Sequence, residues 1–431
     1  MQFKELPPVQ EQLIKCVRCG RCRTVCPIFA EIKQESVAPR GHVFMVQMLK
    51  NGTVEPTPEI MERLTNCLMC ETCSINCPSG IDIHELNAAA RSYIADRNPS
   101  LGRNLLFDTI WTRPRLLRTG SKAAALAQKL GLQRAARMLK LTKVLPVDMS
   151  QAEKIMDSLP VSQARDQLPA FSPACGEVRF RVAYFLGCGT DMFTPEVAIA
   201  AVKVLNAAGC DVYLPKAIKC CGLPHIANAK LDTARKLAVH NARLLNSLDV
   251  DYVVTDCASC SAALGEKNMH FMLDGTEFLE EGLTMARRTI DITRFLTEIA
   301  PLEAALLQNQ APVRVTYHDP CHLAKAQDIR QQPRELLKMI PGLQLVEMQE
   351  PDRCCGGSGT FSMTHYDLSM KVLQHKMDNI MATGATVVAT CCPSCTMQLN
   401  HGININHYGA KVQHPLQLLA KALDNKQLPK S

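Results

Sequence analysis

Two cysteine runs near the N-terminus have the spacing of iron–sulfur ligands. Cys16, Cys19, Cys22 and Cys26 form the first run, and Cys67, Cys70, Cys73 and Cys77 form the second, each run ending in Cys-Pro. Three thiolates at this spacing hold one [4Fe–4S] cubane, and the fourth, next to proline, ligates the neighbouring cluster. The sequence therefore predicts two [4Fe–4S] clusters and a role in electron transfer.

Ligation should cross over between the runs, by analogy with two-cluster ferredoxins. The first N-terminal set is then Cys16, Cys19, Cys22 and Cys77, and the second N-terminal set is Cys67, Cys70, Cys73 and Cys26. Structural zinc is the alternative, because Cys-x2-Cys pairs also build tetrahedral zinc sites. We favour iron, since each run packs four cysteines into eleven residues and the pattern occurs twice.

A second cysteine pattern repeats in the C-terminal part with a period of roughly 133 to 135 residues, which indicates a duplicated domain. The first repeat set is Cys188, Cys220, Cys221, Cys257 and Cys260, and the second repeat set is Cys321, Cys354, Cys355, Cys392 and Cys395. Each set offers five thiolates. A metal site is the favoured interpretation, and a redox disulfide couple is the alternative.

The elements around these cysteines are predicted as alternating strands and helices. Predicted strands cover 180–186, 210–215 and 251–256 in the first copy and 313–318, 343–348 and 385–390 in the second. Predicted helices cover 195–208, 233–246, 323–340 and 368–382. Alternation of this kind implies a parallel sheet, and ligands collect beyond the carboxyl ends of its strands. Because each cysteine group follows a strand, we expect the five thiolates of a copy to converge.

Other residues near these motifs receive plainer interpretations. Cys391 is left unassigned, whereas Cys175 and Cys210 are expected to be structural, as buried free cysteines usually are. Ordinary hydrogen bonds are the expected role of His225, His318 and His322, although each could donate to a cluster sulfur or relay a proton. We assign no catalytic residue, and no organic cofactor is expected because no complete nucleotide-binding loop is present.

Composition indicates a globular protein of two or three domains, with 47% hydrophobic and 21% charged residues. Because the N-terminus lacks the features of a signal peptide, the 21 cysteines are expected to stay reduced in the cytoplasm. A nucleic-acid role is not expected, because no reader motif is present. The basic segment 113–143 predicts an amphipathic helix that either contacts an anionic membrane or acidic partner, or joins two domains in solvent, which we favour.

These motifs together resemble the iron–sulfur subunit of glycolate oxidase and of related D-lactate dehydrogenases. The resemblance covers nearly the whole chain and includes Ala38-Pro39-Arg40-Gly41, Arg113-Pro114-Arg115 and the doubled Cys-Cys-Gly. The chain is also similar to heterodisulfide reductase and to the C subunit of anaerobic glycerol-3-phosphate dehydrogenase. That similarity implies that the repeat sets hold one or two further, non-cubane [4Fe–4S] clusters. Both Cys-x2-Cys elements are complete here, although they are incomplete in glycolate oxidase subunits.

The expected fold is α+β, with a mainly helical two-cluster module followed by two repeated α/β domains with parallel sheets. Expected boundaries are 1–100 for the module, 101–175 for the basic helical linker, and 176–310 and 311–431 for the two Cys-Cys-Gly domains.

The resemblance implies an electron-transfer subunit that takes electrons from an FAD subunit oxidising glycolate or D-lactate and passes them to a quinone or another carrier. The alternatives are a heterodisulfide-reductase-like catalyst, the electron-transfer subunit of anaerobic glycerol-3-phosphate dehydrogenase, and a cluster-bearing scaffold.

Overall fold

The computed structural model describes residues 7–131, 154–155 and 159–423. A helical N-terminal part is followed by two α/β units, each with a parallel sheet. The predicted α+β class is therefore confirmed.

The N-terminal module consists of short helices, several of which begin with proline, a residue whose fixed φ suits the first turn. Its central helix is Ile83–Arg97, which is largely buried and is capped by Asp82, whose side chain accepts from the Glu85 amide at 3.2 Å. The helices are Pro7–Ile14, Arg21–Thr24, Pro27–Ile32, Pro39–Lys50, Pro58–Thr65, Thr72–Ile75 and Ile83–Arg97, with a 3₁₀ turn at Glu35–Val37.

The linker continues as the helix Leu101–Asn104, the π-helical turn Leu105–Ile110 and the helix Pro114–Lys129. Arg118 and Lys122 pair with Asp166 at 2.6 and 2.7 Å, which ties this helix to helix Ala164–Gln167 at the start of the first repeat. The remainder of the predicted basic helix, from residue 132 to residue 143, lies outside the described residues. Among the described helices, none is both long and apolar enough to cross a bilayer.

The first repeat contains a five-stranded sheet in the order β1-β3-β2-β4-β5, in which only β1 is antiparallel to its neighbour. Its strands are β1 (Phe171–Ser172), β2 (Phe180–Tyr184), β3 (Cys210–Tyr213), β4 (Tyr252–Thr255) and β5 (Thr289–Asp291). Its helices are Ala164–Gln167, Cys188–Phe193, Pro195–Ala207, Leu223–Ala227, Leu231–Asn246, Ala258–Leu264, Glu266–Leu273, Leu279–Arg288 and Ile292–Arg294, followed by a π-helical turn at Phe295–Ile299.

The second repeat contains a four-stranded, fully parallel sheet in the order β7-β6-β8-β9. Its strands are β6 (Val313–Tyr317), β7 (Leu343–Leu345), β8 (Val387–Ala389) and β9 (Lys411–Gln413). Its helices are Cys321–Ala324, Gln331–Lys338, Phe361–Thr364, Tyr366–Met381, Pro393–Ile405 and Pro415–Ala422, with a 3₁₀ turn at Ala304–Leu306 before the sheet.

The structure contains several helices that were not predicted, such as Leu279–Arg288 and Pro393–Ile405, and it differs from the predicted elements at one helix and at the short strands. The helix expected over 323–340 is interrupted: it ends at Ala324, and a new helix begins at Gln331, because Asp328 between them has a left-handed backbone with φ 53°. The short strands β1, β5 and β9 were not predicted, since two or three residues are too few to show an alternating pattern.

The two repeats share one continuous apolar core. Helix Pro195–Ala207 of the first repeat packs on helix Pro415–Ala422 of the second, and Lys203 Nζ donates to the Ala420 carbonyl at 2.7 Å. Closer to the cysteines, the Ala258 amide donates to the Cys391 carbonyl at 2.9 Å. The carboxyl ends of the strands in both sheets therefore face one another.

Candidate functional site

The repeat cysteines stand where parallel strands end and helices begin. Cys188 and Cys321 are the first residues of short helices that follow β2 and β6. Cys257 and Cys392 are the N-caps of the helices after β4 and β8. This placement follows from the strand–helix alternation, and it brings residues that are distant in sequence to one edge of each sheet.

Within the first repeat set, the five sulfurs form one connected group. Cys188 Sγ lies 3.8 Å from Cys220 Sγ. The contacts continue from Cys220 to Cys221, from Cys221 to Cys260 and from Cys260 to Cys257.

The second repeat set has the same order of contacts. Cys321 contacts Cys354, and Cys355 contacts both Cys354 and Cys395. Cys395 in turn contacts Cys392. Each repeat therefore gathers its five predicted thiols, and the two groups are built alike.

A glycine makes room for one of these sulfurs. A Cβ atom at Gly187 would lie 2.8 Å from Cys260 Sγ, so a larger residue before Cys188 would displace that sulfur. The lack of a side chain at this position is therefore part of how the first repeat set is formed.

The N-terminal cysteines gather into the two crossed sets expected from their spacing. Cys16, Cys19, Cys22 and Cys77 line one pocket, and Cys26, Cys67, Cys70 and Cys73 line another. Cys19 is exposed, whereas Cys70 is buried. The first N-terminal set is thus the one that reaches the surface.

The four sets also meet one another. Cys22 of the first N-terminal set lies close enough to Cys73 of the second to raise its pKa. Cys70 of the second N-terminal set contacts Cys354 of the second repeat set. Cys257 and Cys392 then join the two repeat sets. The thiols form a continuous line whose order is first N-terminal, second N-terminal, second repeat and first repeat.

Burial makes most of these thiols weak acids in the metal-free chain. It raises the pKa of Cys26 to about 12, and the pKa of Cys73 also rises because of burial and neighbouring thiols. The second cysteine of each Cys-Cys-Gly is an exception. Hydrogen bonds from Cys220 and Cys260 lower the pKa of Cys221, and Cys355 is affected in the same way by Cys354 and Cys395. Hydrogen bonds from Cys257 and Cys395 also lower the pKa of Cys392, so these sulfurs are deprotonated more readily than their neighbours.

Two buried lysines supply positive charge at the second repeat set. Lys376 is fully buried and donates to the Glu350 carbonyl at 2.6 Å. Burial lowers its pKa to about 8, although the nearby thiols of Cys355 and Cys354 act in the opposite direction. Lys325 is buried as well and donates to Thr72 Oγ1 at 2.6 Å, beside Cys70. The buried ammonium groups of Lys325 and Lys376 favour the deprotonated form of the neighbouring cysteines. They also favour a net negative charge on a metal group held by those cysteines.

The histidines divide into two kinds. His225 agrees with the expectation, since its Nε2 bonds to the Phe107 carbonyl at 2.9 Å. For His318 the expectation of ordinary hydrogen bonds is wrong: it is 1% exposed, and neither ring nitrogen has a hydrogen-bond partner among the described residues. One of its nitrogens instead lies within 4.8 Å of the sulfurs of Cys355 and Cys395. The corresponding residue after β2 is Phe185, so comparison of the two repeats offers no signal for a histidine here.

Cys391 takes the place that an aspartate has in the first repeat. The segments Thr255-Asp256-Cys257 and Thr390-Cys391-Cys392 correspond. Tyr184 donates to Asp256 Oδ1 at 2.5 Å, and Tyr317 donates to Cys391 Sγ at 3.4 Å. Cys391 therefore completes a buried contact behind the set. Cys175 and Cys210 also lie outside the sets: burial raises the pKa of both, and the side chains that influence Cys210 include no other cysteine.

These arrangements fit sulfur-bound metal. The donors are buried thiols grouped in fours and fives, Gly187 leaves space beside one group, and the unpartnered His318 nitrogens face another. Thiolates in such groups are ligands for iron–sulfur clusters, which are held by cysteine sulfur.

Three family models match four parts of the chain. A 4Fe-4S dicluster domain matches residues 12–81, and the linker region of the glycolate oxidase iron–sulfur subunit matches residues 98–156. A cysteine-rich domain matches twice, at residues 182–265 and 315–400.

Relatives are found along nearly the whole chain. A probable glycolate oxidase iron–sulfur subunit of Bacillus subtilis is 33% identical, over 99% of this chain and 97% of the relative. A component of the dihydromethanophenazine:CoB–CoM heterodisulfide reductase of Methanosarcina acetivorans is 27% identical, over 97% and 96% of the two chains. Lactate utilization protein A of an Exiguobacterium species is 29% identical over 55% of this chain and 96% of its own length.

Proposed function

Because the chain belongs to the family of glycolate oxidase iron–sulfur subunits, we propose that it is the electron-transfer subunit of a flavin-dependent 2-hydroxy acid dehydrogenase. In this proposal, an FAD-containing partner oxidises glycolate or D-lactate, and this chain passes the electrons to a quinone or another carrier. The observation that carries the proposal is the continuous line of thiols, which runs from the exposed Cys19 through all four sets.

The proposed ligands are the four sets as assigned above. Two [4Fe–4S] clusters belong to the N-terminal sets, and one or two non-cubane [4Fe–4S] clusters belong to the repeat sets. Bound clusters supply one-electron redox couples, whose potentials depend on charge, hydrogen bonding and exposure. The chain buries most of the repeat-set thiols, supplies the charge of Lys325 and Lys376, and brings the second N-terminal set and the two repeat sets into contact.

Anaerobic purification tests the cofactor content. We expect about eight irons per chain from the N-terminal sets and up to about sixteen if both repeat sets are filled. The preparation should also contain a bound flavoprotein with 2-hydroxy acid dehydrogenase activity. A colourless chain that contains zinc, or no metal, would contradict the proposal.

Two cysteine variants distinguish a proposed cluster ligand of the second repeat from a nearby cysteine that is not a ligand. Cys355→Ser should remove iron and one electron paramagnetic resonance signal while sparing the signals of the N-terminal sets. Cys391→Ser is the matched control, because Cys391 is equally buried but occupies the position of Asp256 behind the set. Equal iron content in both variants and the parent would show that the second repeat set holds no cluster.

Contact of the basic segment 113–143 with a membrane is the alternative to its favoured role as a solvent-exposed linker, and the described helix Pro114–Lys129 is the part of the segment that supports it. Arg113, Arg115 and Lys129 are exposed, and the same helix exposes Leu116 and Leu126 by 44% and 53%. Cationic and apolar side chains together favour an anionic lipid surface. Sedimentation with vesicles tests this contact. The chain should sediment with anionic vesicles more than with neutral ones, and equal binding to both would contradict the contact.

A heterodisulfide-reductase-like activity is the second candidate, favoured by contact between the two repeat sets at Cys257 and Cys392. Two adjacent metal groups could act on the two sulfurs of one disulfide. Reduction of a mixed disulfide by the isolated chain with an artificial electron donor would support this candidate, and dependence of all activity on the flavoprotein would exclude it.

A further inference from the structure

Three side chains of types that ligate metal ions, outside the four cysteine sets, converge where the N-terminal module meets both repeats. They are Glu71, next to Cys70; His84, in the first turn of helix Ile83–Arg97; and His322, next to Cys321. One donor atom of each lies within 4.8 Å of the donor atoms of the other two. Glu71 and His84 are 3% and 4% exposed.

The hydrogen bonds of His322 leave one nitrogen available. Its Nδ1 lies 3.3 Å from Ser259 Oγ, whereas its Nε2 is enclosed and has no hydrogen-bond partner among the described residues. Histidines that bind metal ions usually place one nitrogen on the metal and hydrogen-bond through the other, which fixes the ring. His322 shows this arrangement, with Ser259 as the supporting group.

Charge at the junction also favours a cation. Lys267 Nζ lies 2.6 Å from Glu71 Oε2 and 2.6 Å from Asp82 Oδ2, so a single positive side chain faces two carboxylates. A carboxylate has two oxygens, and the bond from Lys267 leaves Glu71 able to bind a metal ion through the other. The two carboxylates are largely buried and Lys267 is partly exposed, so one excess negative charge remains beside Glu71, where a divalent cation would be stabilised.

We propose that Glu71, His84 and His322 form a mononuclear site for a divalent metal ion of the Zn²⁺ type, separate from the four cysteine sets. Two imidazole nitrogens and one carboxylate oxygen are a ligand set that Zn²⁺ accepts, with the fourth position open to water. Since two ligands come from the N-terminal module and one from the second repeat, metal binding requires the docked arrangement and stabilises it.

The test uses the full chain, purified anaerobically and treated with a chelator that removes loosely bound metal. Zn²⁺ is added in competition with a chromophoric chelator, and the zinc environment is measured by X-ray absorption. We expect one Zn²⁺ per chain, surrounded by nitrogen and oxygen without sulfur. His322→Gln and Glu71→Gln should each weaken binding by more than about 100-fold, and Ser259→Ala by about 10-fold.

His270→Gln is the matched control, because His270 is an exposed histidine on the same helix as Lys267 and pairs with Asp274. It should leave the zinc affinity unchanged. Iron content and thermal unfolding of each variant report whether the fold is intact. If His322→Gln or Glu71→Gln does not fold, the absorption spectrum of the parent and the affinity of Ser259→Ala still decide the question.

Three results would overturn the proposal: no stoichiometric Zn²⁺ binding, sulfur in the zinc shell, or unchanged affinity in the folded His322→Gln and Glu71→Gln variants. Sulfur neighbours would place the ion in one of the cysteine sets instead. Iron content is measured independently, so failure of this proposal leaves the electron-transfer proposal unaffected.

Discussion

At the scale of single residues, His318 is the side chain that most distinguishes the second repeat set from the first. Its ring faces Cys355 and Cys395, whereas the equivalent Phe185 offers no polar atom. Hydrogen bonding to cluster sulfur is one of the factors that set reduction potential. The two repeat sets should therefore differ in potential even though their cysteines are arranged alike.

His318→Phe tests this difference by giving the second repeat the residue of the first. We expect unchanged iron content, an altered resonance signal and a lower midpoint potential for the second repeat set, because a polar neighbour of the sulfurs is lost. Potentiometric titration followed by resonance spectroscopy measures this shift, and Phe185→Leu serves as the control. An identical potential in parent and variant would rule out an influence of His318.

A second residue-scale prediction concerns Asp291, which is 1% exposed and whose Oδ2 has no hydrogen-bond partner among the described residues. Burial raises its pKa from 3.8 to about 6, against the effect of hydrogen bonds from Thr293. The folded state therefore holds this proton more tightly than the unfolded state. Stability should fall as the pH rises from about 4 to about 6 and should not change further above that range.

Asp291→Asn removes this loss of stability. The variant should be more stable than the parent by up to about 3 kcal/mol at pH 7.5, and by about half as much at pH 5.0. Anaerobic denaturant unfolding at the two pH values measures the difference. A variant that is less stable than the parent at pH 7.5 would show that Asp291 is stabilised in its ionised form.

At the scale of elements, helix Ile83–Arg97 holds the module to the first repeat through Arg91. Its guanidinium donates to the carbonyls of Leu64 at 2.7 Å, Cys67 at 3.1 Å and Ala227 at 3.0 Å. These are charge-assisted bonds in a buried setting, and a carbonyl left without its donor costs about 1–3 kcal/mol.

Arg91→Met should therefore lower the free energy of unfolding by at least about 3 kcal/mol and expose the module to proteolysis. Arg97→Met on the same helix is the control: Arg97 lies against the Tyr93 ring near the surface, and its loss should change stability by less than about 0.5 kcal/mol. Equal effects of the two substitutions would show that Arg91 does not fix the module.

The cysteines at the strand ends show which features sequence patterns can predict and which they cannot. Apolar runs rich in β-branched residues predicted strands directly before Cys257 and Cys392, because this information is local. Contact between those two cysteines, and between Cys70 and Cys354, depends on how the repeats pack on each other and on the module. The same holds for His322 and Glu71, which lie beside predicted ligands but meet only in the folded chain. No periodicity in the sequence records these long-range contacts.

At the scale of the whole molecule, the line of thiols reaches the surface beside two exposed apolar side chains. Cys19 is exposed, and Ile14 and Val17 nearby are 79% and 72% exposed. Apolar side chains grouped around the exposed end of such a line suit a partner that delivers electrons there. We therefore expect the proposed flavoprotein partner to bind beside Cys19.

Val17→Ser should reduce recovery of the flavoprotein by about tenfold, as expected for loss of about 1.4 kcal/mol of apolar contact. Iron content should not change. Ile405→Ser is the control, since Ile405 is an exposed apolar residue of the second repeat, 48% exposed. The comparison is made by quantitative affinity copurification, and equal loss in both variants would place the partner elsewhere.

The order of the four sets differs from their order along the chain, because the second repeat set stands between the N-terminal sets and the first repeat set. A ribosome completes the first repeat well before Cys392 and Cys395 exist. Until the last part of the polypeptide has been made, the second repeat set cannot connect the N-terminal sets to the first repeat set, so the electron path is completed only at the final stage of biosynthesis. A chain truncated before Cys392 would have no electron path between its N-terminal sets and its first repeat set, even if each of these parts folded correctly.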